Sequence, residues 1–145
     1  MSVILVNGSP NAKGCIYTGL TIVAKVLNSH GIKTEIFQTG KKPISQCIGC
    51  NVCAKTQRCF KNDVVNKFLE IAPKFDGYIF GSPVHYAAPS SQIKCFMDRA
   101  FFYKTSIYDG KPAAAIASCR RGGASATLDM LNKYFQISNM PIVGS

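Results

Sequence analysis

The sequence predicts a single α/β domain: a doubly wound parallel sheet, strand order 2-1-3-4-5, with helices on both faces. Three observations carry this. Short apolar or β-branched runs alternate with segments whose apolar residues recur every three or four positions, the pattern of strand and helix in turn. Three strands stop at loops rich in Gly, Ser and Pro, and in this strand order those loops converge beyond the carboxyl ends, where the topology switches. With 145 residues, 47% of them hydrophobic, the chain can bury one core without cross-links.

The first strand is Val3-Ile4-Leu5-Val6, and it breaks into Asn7-Gly8-Ser9-Pro10-Asn11-Ala12-Lys13-Gly14-Cys15-Ile16-Tyr17-Thr18. The helix that follows buries Ile16, Leu20, Val23, Ala24 and Leu27 and stops near Gly31. Ile32 to Phe37 alternates and forms a second strand near the sheet edge, followed by a long loop from Thr39 to about Asn62. Val65, Phe68, Leu69 and Ala72 mark a helix ended by Pro73; Tyr78-Ile79-Phe80 is a third strand that breaks at Gly81-Ser82-Pro83. Ile93, Phe96, Met97, Ala100 and Phe101 share a helix face, and Tyr103 to Pro112 connects to a small-residue strand at Ala113–Ala117. The last helix turns Ala124, Thr127, Leu128, Leu131, Tyr134 and Phe135 to one side. Pro141-Ile142-Val143 opens a fifth strand just before the last residue. The fifth strand and its covering helix are therefore expected to be incomplete, through truncation or because another subunit covers the exposed face.

The loop after the first strand has the chemistry of an anion site. The first amides of the following helix have no intrahelical partners and point outward with the positive end of the helix dipole. Gly8 and Gly14 allow a close turn, Ser9 and Thr18 bring hydroxyls, and Lys13 brings a charge. The loop lacks both the Gly-Lys-Ser/Thr ending of a P-loop and the glycine spacing of a dinucleotide fingerprint.

The net charge of +10 favours anionic partners: nucleotide cofactors or an acidic redox protein. The basic residues are dispersed, and no nucleic-acid-binding motif is present. No apolar stretch approaches the roughly 20 residues of a membrane span, and no basic segment precedes the first apolar run as in a secretory signal. Seven cysteines without an export signal point to reduced thiols or metal ligands in the cytosol.

The segment Gly8-Ser9-Pro10-x-x-x-Gly14-Cys15-x-Tyr17-Thr18 resembles the phosphate loop of the NAD(P)H-dependent FMN reductases of the flavodoxin-like superfamily. Gly81-Ser82-Pro83-Val84-His85-Tyr86-Ala87 resembles the family's second flavin loop, and Ser118-Cys119-Arg120-Arg121-Gly122-Gly123 its third. The three motifs occur in the family's order along nearly the whole chain. The resemblance implies a flavodoxin-like, three-layer domain over residues 1–145 that binds FMN, receives electrons from NAD(P)H and passes them to a flavin, quinone or electron carrier. It implies FMN contacts at Ser9, Asn11, Lys13, Gly14, Cys15, Ile16, Tyr17 and Thr18 for the phosphate. Pro83, Val84, His85 and Tyr86, with Ser118, Arg120, Arg121, Gly122 and Gly123, would meet the ring. Two positions depart from the pattern: Ile16 stands where the family often has Thr, and His85 where Tyr is usual. The resemblance also implies a homo-oligomer, with the neighbour covering part of the flavin.

Within the loop at about 43–62, Cys47, Cys50, Cys53 and Cys59 follow the spacing Cys-x2-Cys-x2-Cys-x5-Cys. Thiols this dense suit an iron–sulfur cluster or zinc, although zinc sites more often set two Cys-x-x-Cys pairs well apart. The spacing is similar to that of iron–sulfur flavoproteins, which implies a [4Fe–4S] cluster here; a loop of free thiols is the other reading. Two further classes remain open: a zinc-binding interaction module without enzymatic activity, and a flavodoxin-like electron carrier that does not use NAD(P)H.

Overall fold

β-Branched and aromatic residues flanked by turn formers build the sheet. The computed structural model describes residues 1–144. Strand β1 (Ser2–Asn7) leads into α1 (Cys15–Ser29), then β2 (Lys33–Gln38), the short α2 (Val52–Thr56) and α3 (Val64–Ile71). Strand β3 (Gly77–His85) turns into β4 (Ala88–Pro89) and α4 (Ser91–Tyr103), and β5 (Ala113–Ser118) precedes α5 (Ala124–Ile137). The parallel sheet runs β2-β1-β3-β5, with β4 pairing antiparallel to the end of β3. Beside β5, Ile142 bridges Ala113 in parallel, so the expected fifth strand is present as a single bridge held by two backbone bonds, Ala113 N to Pro141 O at 2.9 Å and Val143 N to Ala113 O at 2.8 Å. The expected order 2-1-3-4-5 is thus met once the Ala113 strand is counted fourth.

Two cores lie on the two faces. On one, α1 places Ile16, Leu20 and Ala24 against Val3, Leu5 and Ile79. On the other, α3, α4 and α5 gather Phe68, Phe96, Phe101 and Phe135 around Ile4, Val6, Tyr78 and Phe80. Strand β2 sits at the sheet edge and contributes to both, Ile36 to the first and Phe37 to the second, which is what its alternation predicts. Helices therefore cover both faces, α1 on one and α3, α4 and α5 on the other.

The structure corrects the sequence reading in two places. Strand β3 does not break at Gly81; Gly81, Ser82 and Pro83 continue it, paired with Ile116, Ala117 and Ser118. Pairing with β1 ends at Asn7↔Gly81, so Pro83 lies where one side of the strand is open, the setting in which proline is tolerated. The Tyr103–Pro112 connection is also more than a loop: Tyr108 is fully buried and stacks on Phe101 with ring centroids 4.4 Å apart, donating its hydroxyl to Ala100 O at 3.2 Å. Burying a side chain of this kind stabilises by roughly 1.5–3 kcal/mol.

Candidate functional site

Three loops meet at the carboxyl ends of β1, β3 and β5. The first is shaped by Asn7, buried at the end of β1. Its Oδ1 accepts from Ser9 N at 3.0 Å, and its Nδ2 donates to Asn11 O at 3.3 Å and to Gln38 Oε1 at 2.5 Å. Gln38 Nε2 donates in turn to Ser9 O at 2.7 Å, and Thr39 Oγ1 to Asn7 O at 3.0 Å. The end of β2 thereby holds the loop in its curve. Ser9 is buried, with its hydroxyl accepting from Asn11 N at 3.2 Å.

Gly14 caps α1 in extended conformation without a side-chain hydrogen bond, and the first turn carries no acidic residue. The amides of Cys15, Ile16 and Tyr17 are then the open donors of a helix start. The N-terminus of α5 repeats this: Gly123 caps it at φ +92°, again with no side-chain cap and no acid in the first turn. Helices α3 and α4, by contrast, are capped by the side chains of Asp63 and Ser90. Open amides at a helix start suit an anion, and Asn11, Lys13 and Gly14 of the first loop line one cavity together with Lys41.

The second loop is a two-residue hairpin turn. Its central residues, Tyr86 and Ala87, have φ +50° and +58°, the left-handed pair that a tight hairpin turn needs and that glycine or asparagine usually supplies. Non-glycine residues there store strain of order 1–3 kcal/mol each. The turn leaves His85 exposed and Tyr86 completely so. Hydrogen bonds and contacts draw the loops together. Gly8 N donates to Gly81 O at 2.9 Å, Ser90 Oγ to Gly8 O at 3.3 Å, and Ser90 N to Ser82 Oγ at 3.0 Å. At Gly123, a Cβ would stand 2.6 Å from Ala87 Cα, so the third loop packs directly on the hairpin.

Each sequence candidate now has a place. Asn11, Lys13, Cys15 and Thr18 are exposed around the first loop, with Gly14 and Tyr17 half-buried. Ile16 is buried against Gly81, so only its backbone amide faces the cleft side of the helix start; Thr18 donates its hydroxyl to Gly14 O at 3.3 Å. Pro83, Val84, Ser118 and Gly123 are half-buried, and Arg120, Arg121 and Gly122 are exposed. Among the described residues neither arginine is in an ion pair.

The cysteine loop forms a second centre. Cys47, Cys50, Cys53 and Cys59 all line one cavity, together with Phe60, Phe102 and Tyr103. Left-handed residues at Gly49, Asn51 and Gln57 wind the chain around it. Burial pushes the Cys53 thiol up, and the neighbouring Cys59, Cys47 and Cys50 add to this. Arg99 forms part of the wall, and its Nη2 lies 3.3 Å from Cys59 Sγ. Burial works against its charge, but hydrogen bonds to Asp63 and Cys59 outweigh this and raise its pKa. Arg99 Nε is buried with no hydrogen-bond partner among the described residues. The soft donor set and this orphaned N–H fit an iron–sulfur group. Among the described residues no three His, Cys, Asp or Glu are gathered around a point fit for one metal ion.

Sequence reasoning missed Asn7, Gln38, Ser82, Ser90 and Arg99. Ser90 and Asp63, each just before a helix, carried an N-cap signal. Arg99 carried no such signal.

A doubly wound sheet whose strand-end loops converge at the switch point is the architecture in which α/β proteins bind nucleotide cofactors. The chain belongs to the NADPH-dependent FMN reductase family, whose profile matches residues 1–145, and it is an FMN-binding oxidoreductase. It is 34% identical to an iron–sulfur flavoprotein of Methanocaldococcus jannaschii over 152 residues, covering 99% of this chain and 76% of that protein. An iron–sulfur flavoprotein of Clostridioides difficile is 29% identical over 148 residues, covering all of this chain and 66% of that one. The fold resembles a flavoenzyme NAD(P)H:acceptor oxidoreductase of Paracoccus denitrificans, with TM-score 0.74 and 15% identity over 99% of this chain and 75% of that one. Among the described residues no helix is long and apolar enough to cross a membrane.

Proposed function

We propose that the chain is one FMN-binding unit that takes electrons from NAD(P)H and passes them to a one-electron carrier through a [4Fe–4S] cluster held by Cys47, Cys50, Cys53 and Cys59. The observation that carries this reading is that all four thiols line a single cavity. The relatives from M. jannaschii and C. difficile are iron–sulfur flavoproteins, which points the same way. The free state of all seven cysteines accords with a cytosolic, reducing setting.

When bound, FMN supplies two-electron acceptance from a nicotinamide and the cluster supplies one-electron transfer. The protein's part is to hold and tune. Amides of Cys15, Ile16 and Tyr17 with Ser9, Asn11 and Lys13 would bind the phosphate. The Pro83–Tyr86 hairpin would orient the ring, and Arg120, Arg121 and the α5 start would stabilise negative charge on it. No side chain need act as acid, base or nucleophile, since the cofactor carries the chemistry. A homo-oligomer completes the reading, its contact covering the exposed Tyr86. Zinc is the weaker occupant of the cysteine loop, since zinc sites more often set two Cys-x-x-Cys pairs well apart.

Anaerobic reduction tests this. NADPH or NADH should bleach the flavin of both the wild-type protein and Cys50→Ser. Transfer to a one-electron acceptor should fall in Cys50→Ser by more than the about 10-fold that loss of a ligand's outer partner alone causes. A flavin that neither nicotinamide bleaches would make the protein a simple carrier. Equal acceptor rates in the two proteins would remove the cluster from the route.

A further inference from the structure

One buried cation joins the cysteine loop to the rest of the protein. Arg99, only 3% exposed, projects from α4, whose buried face is otherwise apolar: Ile93, Phe96, Met97, Ala100 and Phe101. Its guanidinium reaches both ends of the loop. Nη1 lies 3.5 Å from Ser45 O, two residues before the first cysteine, and Nη2 donates to Lys61 O at 2.9 Å, two residues after the last. The same Nη2 donates to Cys59 Sγ at 3.3 Å.

Asp63 fixes the guanidinium with a two-pronged pair, Nη1 to Oδ2 at 2.5 Å and Nη2 to Oδ1 at 3.0 Å, while accepting from Val65 N at 3.0 Å as the cap of α3. A second anchor supports Cys59: Asn66 Oδ1 accepts from Cys59 N at 3.2 Å, and Nδ2 donates to Cys59 O at 2.9 Å. At its other end α4 starts at Ser90, which is bonded to Gly8 and Ser82 of the flavin loops. The nine residue steps from Ser90 to Arg99 make a stiff spacer of about 14 Å, at roughly 1.5 Å per residue.

A staple for stability alone explains little of this. Replacing a buried ion pair by apolar side chains of similar size is often neutral or stabilising. Asp63 and two carbonyls would satisfy such a staple without a thiol contact, and they leave Nε unpaired. A planar fork that presents several donors at once is what lysine lacks, and a cation beside a sulfur ligand tunes its metal centre.

We infer that Arg99 is the positioning residue of the cysteine loop: it sets Cys59 and both loop ends for the cluster, and its charge raises the cluster's reduction potential. The inference rests on the reading of the loop as a cluster site. Reduction adds negative charge to the cluster, and a fixed cation with a sulfur hydrogen bond favours the reduced form.

The test compares wild type, Arg99→Lys and Arg99→Gln, purified anaerobically with flavin content as the measure of an intact fold. The readouts are iron release to a chelator and the potential of the iron centre. Arg99→Lys, charged but without the fork, should lose iron about 10- to 100-fold more readily while keeping a potential near that of wild type. Arg99→Gln should lose iron at least as readily, and its remaining centre should titrate at lower potential. A merely structural role would weaken retention in both variants without separating their potentials. Wild-type iron retention in Arg99→Lys overturns the inference, as does an unchanged potential in Arg99→Gln. If Arg99→Gln does not fold, Arg99→Met, which keeps the length of the side chain without its charge, replaces it in the potential measurement. Wild-type protein without iron refutes the cluster reading itself, a separate result read from the first sample.

Discussion

Ser9→Asp is expected to leave the protein folded and nearly free of flavin. Ser9 is buried at the floor of the first loop, its hydroxyl bonded to Asn11 N at 3.2 Å, beside the uncapped start of α1. A carboxylate there would share the cradle with the cofactor's phosphate. Two unit charges 4 Å apart at an effective dielectric near 20 repel by about 4 kcal/mol, which is roughly a thousandfold in affinity. Ser9→Asn separates charge from size, because it has the shape of Asp without the charge and should keep most of the flavin. Flavin dissociation constants and circular dichroism of the apoproteins make the comparison. Equal affinity of the Asp and Asn variants would show that the phosphate lies elsewhere.

Gly8→Ala should act on the same site by a steric route. A Cβ at residue 8 would lie 2.6 Å from Gly81 O and 2.7 Å from Ile93 Cβ, neither of them a flexible chain end. Here β1 and β3 diverge into the first two flavin loops, joined by the 2.9 Å bond from Gly8 N to Gly81 O. Overpacking of this kind costs about 1–3 kcal/mol. The strand ends must part to absorb it, so flavin affinity should fall along with the denaturation midpoint. A stable Gly8→Ala protein with wild-type flavin affinity would show that this close approach does not set the cleft.

Much of this architecture is legible in the sequence because burial imposes periodicity. Ile16, Leu20 and Ala24 of α1, and all five expected residues of α4, are buried as their spacing predicts. The edge position of β2 follows from its alternation. The three Gly-, Ser- and Pro-rich loops come together because a doubly wound sheet places strand ends side by side. Other features have no periodic signal. Helix α2 is only five residues long and bounded by left-handed Asn51 and Gln57, and glutamine does not announce that conformation. The continuation of β3 through Pro83 depends on where its neighbour β1 ends. Tyr108 is buried by a stacking partner seven residues back, on the preceding helix, so a reading of the connection as surface loop misses it.

Arg99 is the most instructive omission. On sequence alone an arginine in a helix belongs to the solvent face. Only the packed structure brings together Asp63, Cys59 and Lys61, separated from it by 36, 40 and 38 positions. Three-dimensional proximity, not local pattern, gives that residue its meaning.

The most direct measurement is the visible absorption spectrum of anaerobically purified wild-type protein, with iron, acid-labile sulfide and flavin assayed on the same sample. Flavin bands over a broad iron–sulfur absorption, with about four irons and four sulfides per chain, the content of one [4Fe–4S] cluster, are the predicted result. Flavin bands without iron would contradict the cluster assignment, and a protein that takes up no FMN would contradict the account at its root.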